Sequence, residues 1–590
     1  MFKKKFQYIC VIFLTVLITC VGCNKNPNPE PVQCEFDTFI DALFVDSVQT
    51  DTLSLNYSLE SPKAYGIAAE ETTLGEYSIA EMKNGLFKTE NNLNRLVSFD
   101  YTQLNQEQQL TYDILKEYLK QNLEFGNYLY YGEVLGPTTG IQAQLPILLA
   151  EYSFYSKEDI DQYIALLSCV DDYFEMIARF EQEKSERGLF MRDAVADRII
   201  EQCEAFIKSP ENNFLIEYFN EKVEHYDGLT ENEIAHYEAA NTKAVLEEVI
   251  PAYEELIAAL YKLKGSGIND AGLYYYPEGQ AYYELLSKYK TGSNHSMEEM
   301  ADLLEIAIQD GIVKLTTLSL TDATILDKYM DFSSFPLTDP EEILSDLRED
   351  ITKDFPESIP VNCQIKYVHE SLSEYLSPAM YLVPPIDNYR NNSIYINGND
   401  AKTLSTIYTT VAHEGYPGHL YQCVYFRNQN PAPIRSLMDF TGYDEGWATY
   451  VEMYSYHLAG IDENLASFLE ANNIIILCMY ARADIGIHYE GWKKDDVVRF
   501  ILKFINDTQI AESIYNTLLE EPAIYLPYAI GFLEIKDLRK KAEETLGDKF
   551  VAKEFHQFLL DIGPAQFDVI DHYLDKWIDE QSSIVVTYTE

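Results

Sequence analysis

Two histidines and a glutamate crowd the segment Ile407–Tyr421, IYTTVAHEGYPGHLY. His413 and His419 supply imidazoles, and Glu414 puts a carboxylate beside the first. Zinc hydrolysis calls for this set: neutral imidazoles hold the metal, and a carboxylate takes a proton from the attacking water. In the HExxH helix the two ligands are four residues apart, about 40° from each other around the axis. Here the offset is six, which on a regular helix puts the rings about 120° apart and beyond reach of one ion. Pro417, however, removes a backbone donor and clashes with the carbonyl of His413, and Gly418 takes conformations closed to other residues. The spacing therefore predicts a break between Glu414 and His419 that swings His419 back toward His413. With 10 histidines in 590 residues, one at this offset is a chance event about once in 59. The competing reading is a helix that ends at Pro417, with histidines that cap or pack separately.

A third ligand is then required. The stretch Thr441–Glu452, TGYDEGWATYVE, follows at a distance that allows a loop and a returning helix. Glu445 and Glu452 share a helical face, and Trp447, Ala448 and Val451 provide an apolar one. Glu445 is the candidate ligand, against the alternative of a solvated glutamate favoured by the helix dipole. Asp444 and Glu452 are candidates for orienting a ligand imidazole.

At HEGYPGH and DEGWATYVE the sequence resembles the bacterial family called domain of unknown function 885, in the zincin-like metallopeptidase group, whose patterns are HExxPGH and EGWAxYxE. The likeness continues at YLVPPIDNYRNNSIYIN (Tyr381–Asn397) and RADIGIHYEGW (Arg482–Trp492). It is weaker at GIQAQLP (Gly140–Pro146), GQAYY (Gly279–Tyr283) and FHQFLLDIGP (Phe555–Pro564). The resemblance implies a largely helical fold, one Zn2+ ion and peptide-bond hydrolysis. It carries over His413, His419 and Glu445 as metal ligands and Glu414 as general base. Pro522-Ala523-Ile524 departs from the family's Pro-Gly-Gln segment ahead of Tyr528 and Gly531, and loses a polar group there.

Hydrolysis passes through an oxyanion, so a donor beyond the metal is useful. His488 is the first candidate and Tyr528 the second; the alternative for His488 is a core histidine bonded to backbone. Arg390 and Tyr395 flank or lie in the strand-like SIYIN segment and are candidate substrate contacts, since an edge strand can align an extended peptide; an exposed, solvated Arg390 is the alternative. His369-Glu370 has no histidine within the next six residues and reads as structural.

The elements that must position these groups are mostly helical. Ser156 with Asp159 and Ser296 with Glu299 form capping-box patterns, and Asp339-Pro340 opens another helix. Apolar residues from Ile160 to Ile177 recur at helical spacing. Strand signals are few: Met380–Val383 and Ser393–Asn397. The expected fold is mainly α, a large helical zincin-like metallopeptidase body with a small β-sheet beside the metal helix. One body runs from about residue 36 to 578, an N-terminal helical half to about 335 and a metal-site half from 336, with a tail at 579–590.

Lys3–Lys5, the apolar run Phe6–Val21 and Gly22-Cys23 read as a lipoprotein signal peptide (residues 1–22), with a lipid anchor on Cys23 and a Pro-rich tether to residue 35. Export to the cell envelope follows. The net charge of −52 argues against nucleic-acid partners and against charge-driven membrane binding; the expected partner is a peptide substrate. Six cysteines beyond the signal lack CxxC spacing, so neither a zinc ribbon nor a disulfide framework is indicated. Two alternatives remain open: an amidase or deacylase working on non-peptide amides, and a non-catalytic binding lipoprotein.

Overall fold

The computed structural model describes residues 31–68, 71–368, 377–398 and 404–583. The signal segment, Cys23, His369-Glu370 and the last seven residues lie outside the described residues.

Helices dominate. The first, α1 (Pro31–Val48), already begins inside the stretch expected as tether, with Phe36, Ile40 and Phe44 buried along one face. The periodic run from Ile160 to Ile177 is divided into α2 (Lys157–Leu167) and α3 (Val170–Glu186). α2 is opened by the Ser156–Asp159 capping box. α4 (Asp193–Ile207), α5 (Gly279–Thr291) and α6 (Met297–Thr321) follow, the last with its Ser296–Glu299 box. Asp339 caps α7 (Pro340–Asp350) by accepting from the Glu341 and Glu342 amides.

The sheet has three strands: β1 (Asn362–Tyr367), β2 (Ala379–Leu382) and β3 (Asn391–Ile396), in the order β1-β3-β2. β3 is parallel to β1 and antiparallel to β2. β1, a short strand of alternating polar and apolar residues, has no counterpart in the sequence expectations. β2 is an edge strand. The amide of Asn397 donates to Pro378 O, so the even-numbered residues of β2 pair with β3 and the odd ones turn their backbone groups to the free edge.

The second half continues with α8 (Tyr408–Glu414), α9 (His419–Asn428), α10 (Thr441–Ser455), α11 (Glu463–His488), α12 (Thr508–Glu520), α13 (Leu526–Leu546) and α14 (Phe567–Ser583). α14 runs past the expected start of the tail. Buried apolar side chains form two large clusters. One joins residues 36–119 to the helices of the second half; the other fills residues 53–263. The N-terminal helix thus belongs with the core that supports α8, the helix that carries His413.

Candidate metal centre

α8 stops at Glu414 and α9 starts at His419. The four residues between them form a tight loop: the Gly418 amide donates to Ala412 O at 3.0 Å and the Tyr421 amide to Gly415 O at 3.2 Å, each six residues back. A Cβ on Gly418 would stand 1.8 Å from His413 O, so only glycine lets the chain fold onto the helix it has just left. The indole of Trp447 donates to Pro417 O at 2.9 Å and holds the loop from below. Two extra residues between the histidines are absorbed here. The rings finish 4.8 Å apart, centre to centre.

Glu445, in the first half of α10, completes the triangle. One of its carboxylate oxygens is 3.3 Å from His413 Nε2 and 3.5 Å from His419 Nε2. Ligand atoms from all three residues lie within 4.8 Å of one another. That oxygen is buried and makes no hydrogen bond, since neither imidazole approaches it with suitable geometry. A buried carboxylate oxygen without a hydrogen-bond donor is costly. That oxygen and the two imidazole nitrogens facing it form a set suited to one zinc ion. Burial disfavours the imidazolium of His413, but Glu445 and Glu452 outweigh it and hold its pKa well above the ordinary value; His419 is raised by Glu445 in the same way. Glu445 itself is pulled down by the two rings against its burial.

The surrounding groups fix this geometry. Glu452, two turns along α10, accepts from His413 Nδ1 at 3.1 Å, the contact that sets the ring's tautomer. Asp444 instead pairs with Gln422 Nε2, and burial raises its pKa to about 6. Glu414 reaches the cleft and accepts the Tyr381 amide at 2.7 Å, from the free edge of β2. The cleft, about 500 Å3, is lined by the three ligand candidates together with Glu414, Met380, Tyr381 and Tyr528. The Tyr528 ring stacks on His413 at 6.2 Å. Burial, Glu445 and Glu414 together raise its pKa, so the phenol stays protonated.

The sequence profile of the family described as "Bacterial protein of unknown function (DUF885)" matches residues 60–573. The chain belongs to this family. It is similar in fold to the crystal structure of "the putative lipoprotein from Colwellia psychrerythraea", at TM-score 0.81 and 19% identity, covering 93% of this chain and 99% of that one. A "putative lipoprotein of unknown function from Shewanella oneidensis" is also similar, at TM-score 0.65 and 16% identity over 91% and 99% of the two chains. No curated protein matches.

The RADIGIH and GQAYY blocks have structural employment. His488 does not face the metal cleft as an oxyanion donor. Its Nδ1 accepts from the Leu273 amide at 3.1 Å, and its Nε2 donates to Leu518 O at 2.9 Å. Burial lowers its pKa to about 4, and its ring stacks on Tyr283. With both nitrogens committed to backbone, it serves as an anchor. Asp484, one helical turn earlier, accepts from Tyr283 Oη and from the Ala523 amide; burial raises its pKa to about 7. Together the RADIGIH and GQAYY blocks clamp the loop that leads to Tyr528.

Arg390 is exposed and lies over the Tyr389 ring. Tyr395 lines a different cavity, where it donates to Glu151 and accepts from Lys366. Neither is brought to the metal cleft. The sequence reading missed Gln422, which holds Asp444, and the backbone edge of β2, which carries no side-chain signal. Of Asp444 and Glu452, the structure assigns Glu452 to the His413 ring.

Proposed function

We propose that this chain is a zinc-dependent peptidase, lipid-anchored at Cys23 outside the cytoplasm. The observation that carries this reading is the orphaned Glu445 oxygen facing His413 and His419, with Glu414 beside it on the cleft. His413, His419 and Glu445 would hold the ion, which when bound supplies Lewis acidity to polarise a carbonyl and acidify water.

The chain's own groups do the rest. Glu414 accepts the proton of the attacking water and returns it to the leaving amine. Its link to the Tyr381 amide aims the carboxylate and ties it to the strand that borders the cleft. The free edge of β2 offers the Tyr381 carbonyl, and beyond the strand's end the backbone of Val383, to an extended substrate by strand addition, which favours a peptide over a small amide. Tyr528, kept protonated, donates to the oxyanion. Glu452 fixes the His413 ring.

Both structural neighbours are described as lipoproteins, which supports the lipid anchor, as does the Gly22-Cys23 boundary. No described helix is long and apolar enough to cross a membrane. Glu414→Gln tests the enzyme reading against a peptide and acyl-amino-acid panel. Zinc content is expected to stay and peptide turnover to collapse. Unchanged turnover would remove Glu414 from its role, and turnover confined to non-peptide amides would replace peptidase with amidase.

A further inference from the structure

A second cavity, about 470 Å3, adjoins the metal cleft, and Thr441 and Tyr528 line both. Its walls come from the loop 131–139, the approach to α4, the last turns of α5 and the α12–α13 connection. Its three carboxylates are already engaged. Glu133 pairs with the buried Lys184 and Glu520 with Arg198. Glu521 accepts the amides of Thr138 and Thr139 and the Thr139 hydroxyl.

Two cations in the same cavity are not engaged. Among the described residues, neither the Arg192 nor the Lys290 side chain has a hydrogen-bond or ion-pair partner, and Nη1 of Arg192 is buried with no acceptor. This chain carries 96 acidic against 44 basic side chains. A carboxylate is the partner such a composition supplies most readily, so two basic groups left without one in a single cavity point to a carboxylate that comes from outside. Much of the remaining lining is apolar or aromatic, including Leu135, Tyr276, Tyr282, Leu286 and Leu519.

We infer that this cavity receives the C-terminal carboxylate of the peptide, with Arg192 and Lys290 as its counter-charges and an apolar or aromatic last side chain against Tyr282 and Leu286. The guanidinium fork suits a carboxylate, and a partly enclosed site strengthens the pairing. Substrate then runs from the metal cleft past Tyr528 into the cavity, and cleavage falls near the C-terminus. The catalytic consequence rests on the peptidase reading; the binding preference does not.

The test uses zinc-loaded full-length mature protein carrying Glu414→Gln, titrated calorimetrically with acetyl-Ala-Ala-Ala-Phe as the free acid and as its C-terminal amide. The acid is expected to bind at least tenfold more tightly. That preference is expected to vanish in the Arg192→Gln/Lys290→Gln double variant, with zinc content unchanged. Equal affinities, no measurable binding of the acid, or a preference that survives in the folded double variant would overturn the subsite. Where the double variant does not fold, the Arg192→Gln and Lys290→Gln single variants carry the test, each expected to lose much of the acid preference, and an undiminished preference in both would overturn the subsite. The two readings fail separately. Acid preference without wild-type hydrolysis keeps the subsite and removes the peptidase, whereas wild-type cleavage of acid and amide alike, with equal affinities, does the reverse.

Discussion

Gly446 on α10 meets Gly531 on α13 with no room for a side chain: a Cβ on Gly446 would lie 2.5 Å from the Gly531 carbonyl carbon, and one on Gly531 would lie 2.0 Å from Gly442 O. The contact fixes the distance between two functional groups. Glu445 is the neighbour of Gly446, and Tyr528 is one helical turn before Gly531, so the touching backbones bring carboxylate and phenol to the same cleft.

Gly531→Ala should therefore cost about 1–3 kcal/mol of stability, the usual penalty for overpacking. Turnover should fall more than zinc content, because α13 carries Tyr528 and α10 carries Glu445, the proposed ligand. Thermal melting and zinc analysis on the same preparation check this; a variant with unchanged melting and activity would show that the helices separate freely.

Gly418 is constrained more severely, by its 1.8 Å approach to His413 O. Gly418→Ala must open the loop that returns His419 to His413. A substantial drop in zinc affinity is expected in a competition titration against a chromophoric chelator. In the same assay Glu452→Ala, which frees the His413 ring, should weaken zinc about 10–100-fold while one ion still binds at saturation.

Ala523 has φ +63, in the left-handed region, where a Cβ is unfavourable. Ala523→Gly should leave stability within about 1 kcal/mol of wild type, because relief of the Cβ is offset by the entropy gained by the unfolded chain and by the loss of a fully buried methyl group. Chemical denaturation measures it, and a shift of about 2 kcal/mol or more in either direction would contradict that balance.

His488 and His556 are buried neutral, each with its pKa lowered from 6.5 to about 4 by burial. A depressed histidine stabilises the fold fully above the unfolded value of 6.5, and that contribution is lost as pH falls toward 4, because the unfolded chain binds the proton first. Asp484, held near 7 by burial, works in the opposite direction. Comparing His488→Gln with wild type at each pH isolates the histidine. The destabilisation caused by the variant should shrink by about 2 kcal/mol between pH 7 and pH 5. A pH-independent difference would mean that His488 is not held neutral.

The cluster of His413, His419 and Glu445 was legible because its members are carried by local signals: a histidine pair around a Pro-Gly break, and a glutamate opening an amphipathic helix. The break proved to be a full helix stop and restart, which the spacing implies only in part. His488 was misassigned because a histidine near a glycine looks alike whether it donates to substrate or to Leu518 O. Arg192 and Lys290 could not be read as a pair: 98 residues separate them, and only the packing of α4 and α5 around the α12–α13 loop brings them to one cavity. Likewise the α2–α3 break at Ser168-Cys169 leaves apolar periodicity intact, and the short β1 offers little beyond alternation.

Elemental analysis of purified wild type beside His413→Ala and His419→Ala, with folding checked by circular dichroism, tests the metal centre most directly. One zinc per wild-type chain is expected, with little or none in either folded variant. Equal zinc in all three, or none in wild type after incubation with the ion, would contradict a shared site at His413, His419 and Glu445.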